Sequence, residues 1–378
     1  MAADGDFSSS QDCYFDWPYD QKKFNATIPR IPCVLSMIGS GYIIFHVIKE
    51  RKWTAMYNRL ILGLSVTDMI GSFSQFFTTW PIPADSVVDG GPSISHCYYG
   101  NVGNLTACEV QGFFIHSFTI AVPIYNAMLC VYFLLFIRYD WNEQRLRKIE
   151  PFMHGLALYP MMTAIICWNE EVFNPAATFC WIAGHPLGCL ENDDVDCIRG
   201  KNVYFFRWAA VAVPIMCAFI TIVATMSMIC VFVFRQESRL ASLQSAELER
   251  GYEHSKKVFW QACRYVGAYL FVFLPSAIVT ILSSRYRYNE FAGMFALSLL
   301  IPLQGLFNAM IYFQASISCW WIRYKISRAF SRFLGNSISS ESEDDSSFDD
   351  VTETHVGETC FSSIVPVTSE MSQYRIGI

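Results

Sequence analysis

The sequence predicts an all-α protein, a bundle of seven membrane-spanning helices followed by an amphipathic helix on the membrane surface. Of the 378 residues, 53% are hydrophobic and only 16% are charged, whereas soluble domains carry about 25% charged residues. Seven apolar stretches approach or exceed the roughly 20 residues that cross a bilayer, and a helix satisfies its own backbone in lipid. The predicted spans are 29–48, 58–80, 108–137, 151–168, 203–234, 258–283 and 291–315.

The chain divides by composition into four predicted parts. Residues 1–28 are an acidic, aromatic tail without the basic start and apolar core of a signal peptide, and 29–315 form the bundle. Residues 316–335 alternate aromatic and basic side chains, which is typical of an amphipathic helix on an anionic leaflet. Residues 336–378 form an acidic, Ser- and Thr-rich, disordered tail, whose Ser and Thr beside acids suit acid-directed kinases, although a merely solvated tail is the alternative.

The basic residues orient the bundle. One set of flanks carries eighteen Lys and Arg residues and the other carries eight. Because Lys and Arg concentrate on the cytoplasmic side, the N-terminus is expected outside a plasma membrane and the C-terminus inside. Cys319, at the start of the surface helix, is a candidate palmitoylation site.

Sequons and cysteines on the predicted outer side agree with this orientation. Asn25 and Asn104 begin N-x-Thr glycosylation sequons. A bond between Cys108 and Cys180 would hold the loop after the fourth span over the bundle mouth, although two unrelated thiols remain the alternative. Four outer cysteines remain, enough for two further bonds. Cys189 and Cys197 flank an acidic loop and could pair locally, and Cys13 and Cys97 are then the leftover pair, although spacing does not determine the connectivity.

A polar stripe crosses the seventh span. Gln304, Asn308 and Tyr312 are spaced by four, so they share one side of a helix. Asp68 is the one carboxylate deep in a span, and charged groups there almost always face the bundle interior. We expect these residues, with Ser40 of the first span, to form a hydrogen-bonded network. The alternative for Asp68 is a simple packing residue satisfied by neighbouring Ser or Asn.

Two further features favour a bundle that moves. Proline frees a carbonyl and kinks its helix, and the interior prolines of the long spans are Pro123, Pro214, Pro275 and Pro302. Arg138 and Tyr139 close the third span on the cytoplasmic side. Arg138 is either an ordinary interfacial arginine or a switch that later contacts a cytoplasmic partner.

Several motifs resemble the G-protein-coupled receptors, in particular the cyclic-AMP-receptor-like group called class E. They are "YNRLILGLSVTDMIGSF", "FCWI", "FIRY" and "PLQGLFNAMIY". The resemblance implies a heterotrimeric G-protein partner, a disulfide between Cys108 and Cys180, and an activation network that contains Asp68, Asn308 and Tyr312. It also implies that Arg138 is the arginine at the inner end of helix three. The chain departs from rhodopsin-like receptors at Ile137, where they have an acid, and at Ala309, where they have proline.

Other function classes fit less well. A retinal protein needs a lysine in its last span, and 291–315 contains none. The histidines are too scattered for a zinc hydrolase, and neither a cofactor nor a nucleic-acid partner is indicated. A transporter or channel is the remaining alternative, although no inverted repeat is visible. The sequence therefore predicts a receptor with an unknown extracellular ligand, bound in the outer half by residues such as Gln111, His116, Arg207 and Trp208.

Overall fold

A computed structural model describes residues 17–84, 97–186, 189, 196–240, 256, 258–275, 278 and 290–313. The predicted amphipathic helix, the acidic tail, Cys13 and Cys319 lie outside these residues. In chain order the helices are α1 (Tyr19–Thr27), α2 (Arg30–Lys49), α3 (Met56–Phe76), α4 (Leu105–Thr119), α5 (Ala121–Tyr139), α6 (Glu143–Ala157), α7 (Tyr159–Asn169), α8 (Val203–Phe206), α9 (Val213–Leu240), α10 (258–275), α11 (Glu290–Leu300) and α12 (304–313).

These helices form seven rods, as the sequence predicts. The first, second and sixth rods are α2, α3 and α10, and each of the others is a pair or series of shorter helices joined end to end. Within the described residues, four helical stretches are long and apolar enough to cross a membrane: Tyr19–Lys49, Leu105–Tyr139, Val203–Gln236 and Phe295–Phe313. The chain is therefore a multi-pass membrane protein built as a seven-helix bundle.

The interruptions within the rods lie close to proline. Helices α4 and α5 meet at Ile120, three residues before Pro123, and a π-helical turn at Arg207–Ala212 ends just before Pro214. A 3₁₀ turn at Ile301–Leu303 contains Pro302. Each proline removes the hydrogen bond that would continue the regular helix. Pro275 is the last residue of α10, and the residues that directly follow it are not described.

The core runs along the third rod. Helix α5 packs against α9, and α3 packs against α2, α4 and α5. Most of the large side chains of α5 are buried in one apolar cluster with those of α3, α9 and α10. The first, fourth and fifth rods instead leave many large apolar side chains exposed, which is the pattern of rods that face lipid on one side.

Two parts of the outer side differ from the prediction. Residues 1–28 were expected to form a tail, but Tyr19–Thr27 is helical and packs against α11, with the ring centroids of Phe24 and Phe295 4.9 Å apart. A short antiparallel hairpin, β1 (Phe173–Pro175) and β2 (Cys180–Ile182), follows the fourth rod. These strands are too short for hydropathy to indicate them.

Two rods also have limits that differ from the prediction, one at its end and one at its start. The second helix stops at Phe76 rather than at residue 80, because Thr78 adopts a left-handed backbone conformation with φ of 46°. The fourth rod begins at Glu143 rather than at residue 151. Its first two turns are rich in charged residues, so hydropathy alone does not include them.

Candidate functional site

The interior of the bundle contains a hydrogen-bonded chain that joins the second and seventh rods. Asn308 in α12 donates from Nδ2 to Oδ2 of Asp68 in α3 at 2.8 Å. Gln304, one turn earlier, donates to Oδ1 of Asn308 at 3.0 Å. All three side chains are buried. The seventh helix regains regular geometry at Gln304, directly after the Ile301–Leu303 turn, so this turn places the amide stripe on the inner face.

Small residues bring the first rod against the same site. A Cβ atom built on Gly305 would lie 2.3 Å from the hydroxyl oxygens of both Ser36 and Ser40. Ser72 of α3 donates to Ser36 at 3.0 Å. Ser40, which was expected in the polar network around Asp68, is buried beside Gly305, and its hydroxyl has no hydrogen-bond partner within the described part of the chain. Close approach through small residues is a common way for membrane helices to pack.

The polar contacts continue towards the inner ends of the rods. The hydroxyl of Tyr312, one turn beyond Asn308, lies 3.1 Å from Nδ1 of His46 in α2. Tyr57 of α3 and Tyr265 of α10 are 3.0 Å apart at their hydroxyls, and Gln261 donates to Tyr57 at 2.8 Å. The second and sixth rods are thus linked by buried polar groups, a contact that no sequence pattern indicates.

Arg138 lies at the inner end of the third rod and is exposed. Its guanidinium carbon is 4.9 Å from the ring centroid of Phe232 in α9 and 5.5 Å from that of Tyr139. An arginine over an aromatic face is attracted by the ring quadrupole. Arg138 therefore contacts the fifth rod at the end of the bundle that the basic residues predict to be cytoplasmic.

A second arginine fastens the loop between the first two rods. Arg59 of α3 forms a bidentate ion pair with Glu150 of α6 and also contacts Glu143. It donates to the carbonyl of Trp53 at 2.6 Å. Glu143 in turn accepts from the backbone N–H of Met56 at 2.6 Å, at the start of α3. These contacts join the loop between the first two rods to the start of α6.

Disulfides and Gln111 organise the outer end. The structure contains the bonds Cys108–Cys180 and Cys189–Cys197, and Cys97 is also disulfide-bonded. Gln111 accepts from the backbone N–H of Cys180 at 2.9 Å and donates to the carbonyl of Thr78 at 2.9 Å. Its polar atoms therefore join the hairpin to the end of the second rod.

The other proposed pocket residues have separate contacts. Arg207 donates twice to the carbonyl of Ile182 in the hairpin. His116 is fully buried, with Nε2 3.0 Å from the hydroxyl oxygen of Thr163 in α7. The Trp208 side chain is 68% exposed, and its place in a ligand pocket stays a prediction. Trp208 lies in the π-helical turn, whose wider spacing shifts the direction of side chains.

The two sequons are not equivalent. Asn25 is 2% exposed and donates to the hydroxyl of Thr178 at 3.0 Å, so it is a structural residue rather than an acceptor for a bulky glycan. Asn104 is exposed and caps α4 through its side-chain carbonyl oxygen, which does not use its amide nitrogen. We expect Asn104→Gln to increase gel mobility of protein made in eukaryotic cells. Asn25→Gln should not, and a mobility change for Asn25→Gln alone would contradict this assignment.

The loop after the hairpin carries a pH-sensitive group. His185 is buried, its backbone N–H donates to the carbonyl of Arg199 at 3.0 Å, and Arg199 pairs with Glu109. Burial lowers the pKa of His185 below its ordinary 6.5, and the charge of Arg199 lowers it further. The unfolded chain then binds more protons than the folded one just below pH 6.5, so stability falls with acidification in that window.

This sign gives a measurable outcome. The melting temperature of the purified protein should be lower at pH 5.5 than at pH 7.5. His185→Gln should reduce this difference, because glutamine does not titrate. An unchanged difference in the variant would assign the pH dependence to other groups.

Comparison with known proteins supports the fold. No protein-family model matches the sequence, and no curated protein sequence matches it either. Among solved structures, 498 chains match, and one is the crystal structure of squid rhodopsin. That structure is 16% identical, covers 92% of this chain and 91% of its own, and superposes with a TM-score of 0.52. The chain therefore has a seven-helix fold like that of squid rhodopsin.

Proposed function

We propose that the chain is a receptor that transmits an extracellular signal to a cytoplasmic heterotrimeric G protein. The observation that carries the proposal is the bond between Asp68 and Asn308, buried in the interior and adjacent to the proline-containing turn of the seventh rod. An isolated carboxylate in a span is costly and marks function by default. A polar link between two rods has alternative partners, so it suits a bundle with two arrangements.

The mechanism is a shift of population. A ligand bound in the outer half stabilises one arrangement only by its differential affinity for the two. The hairpin, tied to α4 by the Cys108–Cys180 bond and to the second rod through Gln111, transmits contacts made at the outer mouth. At the inner end, the Tyr57–Tyr265 contact and Arg138 lie where the sixth and fifth rods would separate to admit a partner.

The sequence motifs assign the receptor to the cyclic-AMP-receptor-like class E group in this proposal. The supporting residues are "PLQGLFNAMIY" and "YNRLILGLSVTDMIGSF". The group's label does not make cyclic AMP the ligand. The proposed location is the plasma membrane with the N-terminus outside, and the proposed tail partners are a receptor kinase and an arrestin-like protein.

Nucleotide exchange tests the proposal. The full-length chain in nanodiscs should accelerate GTP-analogue uptake by a purified heterotrimer from the cells that express it. An empty nanodisc and a nanodisc with an unrelated seven-helix protein are the controls. Ion or solute flux through liposomes that contain the chain, without any exchange activity, would favour a transporter or channel and overturn the receptor proposal.

A further inference from the structure

The charged residues of α6 are divided between its two faces, with the acids turned towards the bundle and the bases exposed. Its first half contains two acids, Glu143 and Glu150, and three bases, Arg145, Arg147 and Lys148. Both acids turn inward, where they pair with Arg59 of α3. The carboxylates of these two residues therefore pair within the protein and do not neutralise the bases on the exposed face of the helix.

The three bases are exposed. Arg147 donates to the carbonyl of Thr54 at 3.0 Å. Among the residues that the structure describes, no carboxylate lies within ion-pair distance of Arg145, Arg147 or Lys148. Together they form a local positive patch, named the α6 collar below.

An apolar surface begins directly above the collar. Arg145, Lys148 and Phe152 are spaced by three and four, so they share one face of the helix. The Phe152 side chain is 68% exposed, and Leu156 continues the exposed apolar stripe along α6. Helices α6 and α7 contain 15 and 11 residues, and together they are longer than the roughly 20 residues needed to cross the hydrocarbon. The first turns of α6 therefore lie at headgroup level.

We propose that the α6 collar binds the phosphorylated headgroup of an anionic membrane phospholipid, with Phe152 against its acyl chains. Clustered basic side chains beside a span fit the phosphates of such headgroups, and each contributes to the attraction at short range. The lipid belongs to the leaflet that faces the eighteen-base side of the bundle, which rests on the proposed orientation. Because Arg147 and Arg59 also bind the loop between the first two rods, an occupied collar stabilises the surface that faces a cytoplasmic partner.

The experiment uses the full-length chain in neutral micelles, titrated with a fluorescent phosphatidylinositol bisphosphate. Arg145→Gln with Lys148→Gln should weaken binding about tenfold or more, since two attractive charges are lost. The matched control is Arg235→Gln with Arg264→Gln, which removes the same charge from exposed positions on α9 and α10. That control should change the dissociation constant less than threefold. Arg145→Lys with Lys148→Arg keeps the charge and should bind like the original chain.

Four results would overturn the proposal. The first is an original chain that does not prefer the anionic lipid over phosphatidylcholine, and the second is a control pair that loses as much affinity as the collar pair. The third is a loss of affinity in the charge-keeping pair, and the fourth is displacement of the lipid by soluble inositol phosphate at equal concentration. The last would assign the collar to a free phosphate instead of a membrane lipid. A thermal unfolding scan of each variant accompanies the titration, and the charge-keeping pair supports the test if the glutamine pair folds poorly.

Discussion

Replacing Gly305 with alanine should lower the free energy of unfolding by about 2 kcal/mol, the typical cost of inserting a methyl group into a packed interior. The added Cβ would lie 2.3 Å from the hydroxyl oxygens of Ser36 and Ser40 and 3.1 Å from the carbonyl of Ser36. The seventh rod must then move away from the first, at the level of the Asp68–Asn308 bond. The measurement is thermal unfolding of the purified chain in detergent.

Two comparisons make this prediction specific. Gly41→Ala, in the first rod, places its methyl group where nothing lies within 4 Å, so this variant should be as stable as the original chain or slightly more stable. Removing both hydroxyls with Ser36→Ala and Ser40→Ala should recover much of the stability lost in Gly305→Ala. If the triple variant is no more stable than Gly305→Ala alone, the close approach of the first and seventh rods is not the cause.

Asp68→Ala and Asn308→Ala should each lower the free energy of unfolding by about 1–3 kcal/mol, because each leaves a buried polar partner unpaired. The double variant should cost less than the sum of the two, with a coupling of about 0.6–1.7 kcal/mol, the range found between membrane helices. Chemical or thermal unfolding in one detergent supplies all four values of the cycle. Strict additivity would mean that the 2.8 Å contact between these side chains contributes nothing.

Hydropathy and the cost of a buried charge account for what the sequence could predict. Seven apolar stretches suffice to place the rods, and a lone carboxylate at Asp68 needs a buried partner, which the amide stripe of the seventh rod supplies. The positions of Cys108 and Cys180 at the outer side agreed with the bond that the structure contains.

The remaining contacts lacked such a signal. Serine and tyrosine are ordinary residues in apolar helices, so nothing distinguished Ser36, Ser72, Tyr57 or Tyr265 before their neighbours were known. The π-helical turn at Arg207–Ala212 interrupts the regular helix of the fifth rod, and hydropathy does not indicate such a turn. Helix α1 is short and polar, and its order depends on contacts with the second and seventh rods and the hairpin, which are distant in sequence.

The most direct test of the account is the rate of G-protein nucleotide exchange promoted by variants in which the side chains of residues 68 and 308 are swapped. Asp68→Asn, Asn308→Asp and the swapped pair with both changes are compared with the original chain, each normalised to folded protein in nanodiscs. We predict that each single change alters the exchange rate of a heterotrimeric G protein about threefold to twentyfold, as the expected coupling implies, and that the swapped pair returns towards the original rate. Single variants that exchange at the original rate, or a swapped pair no better than either, would contradict a switching role for the Asp68–Asn308 link.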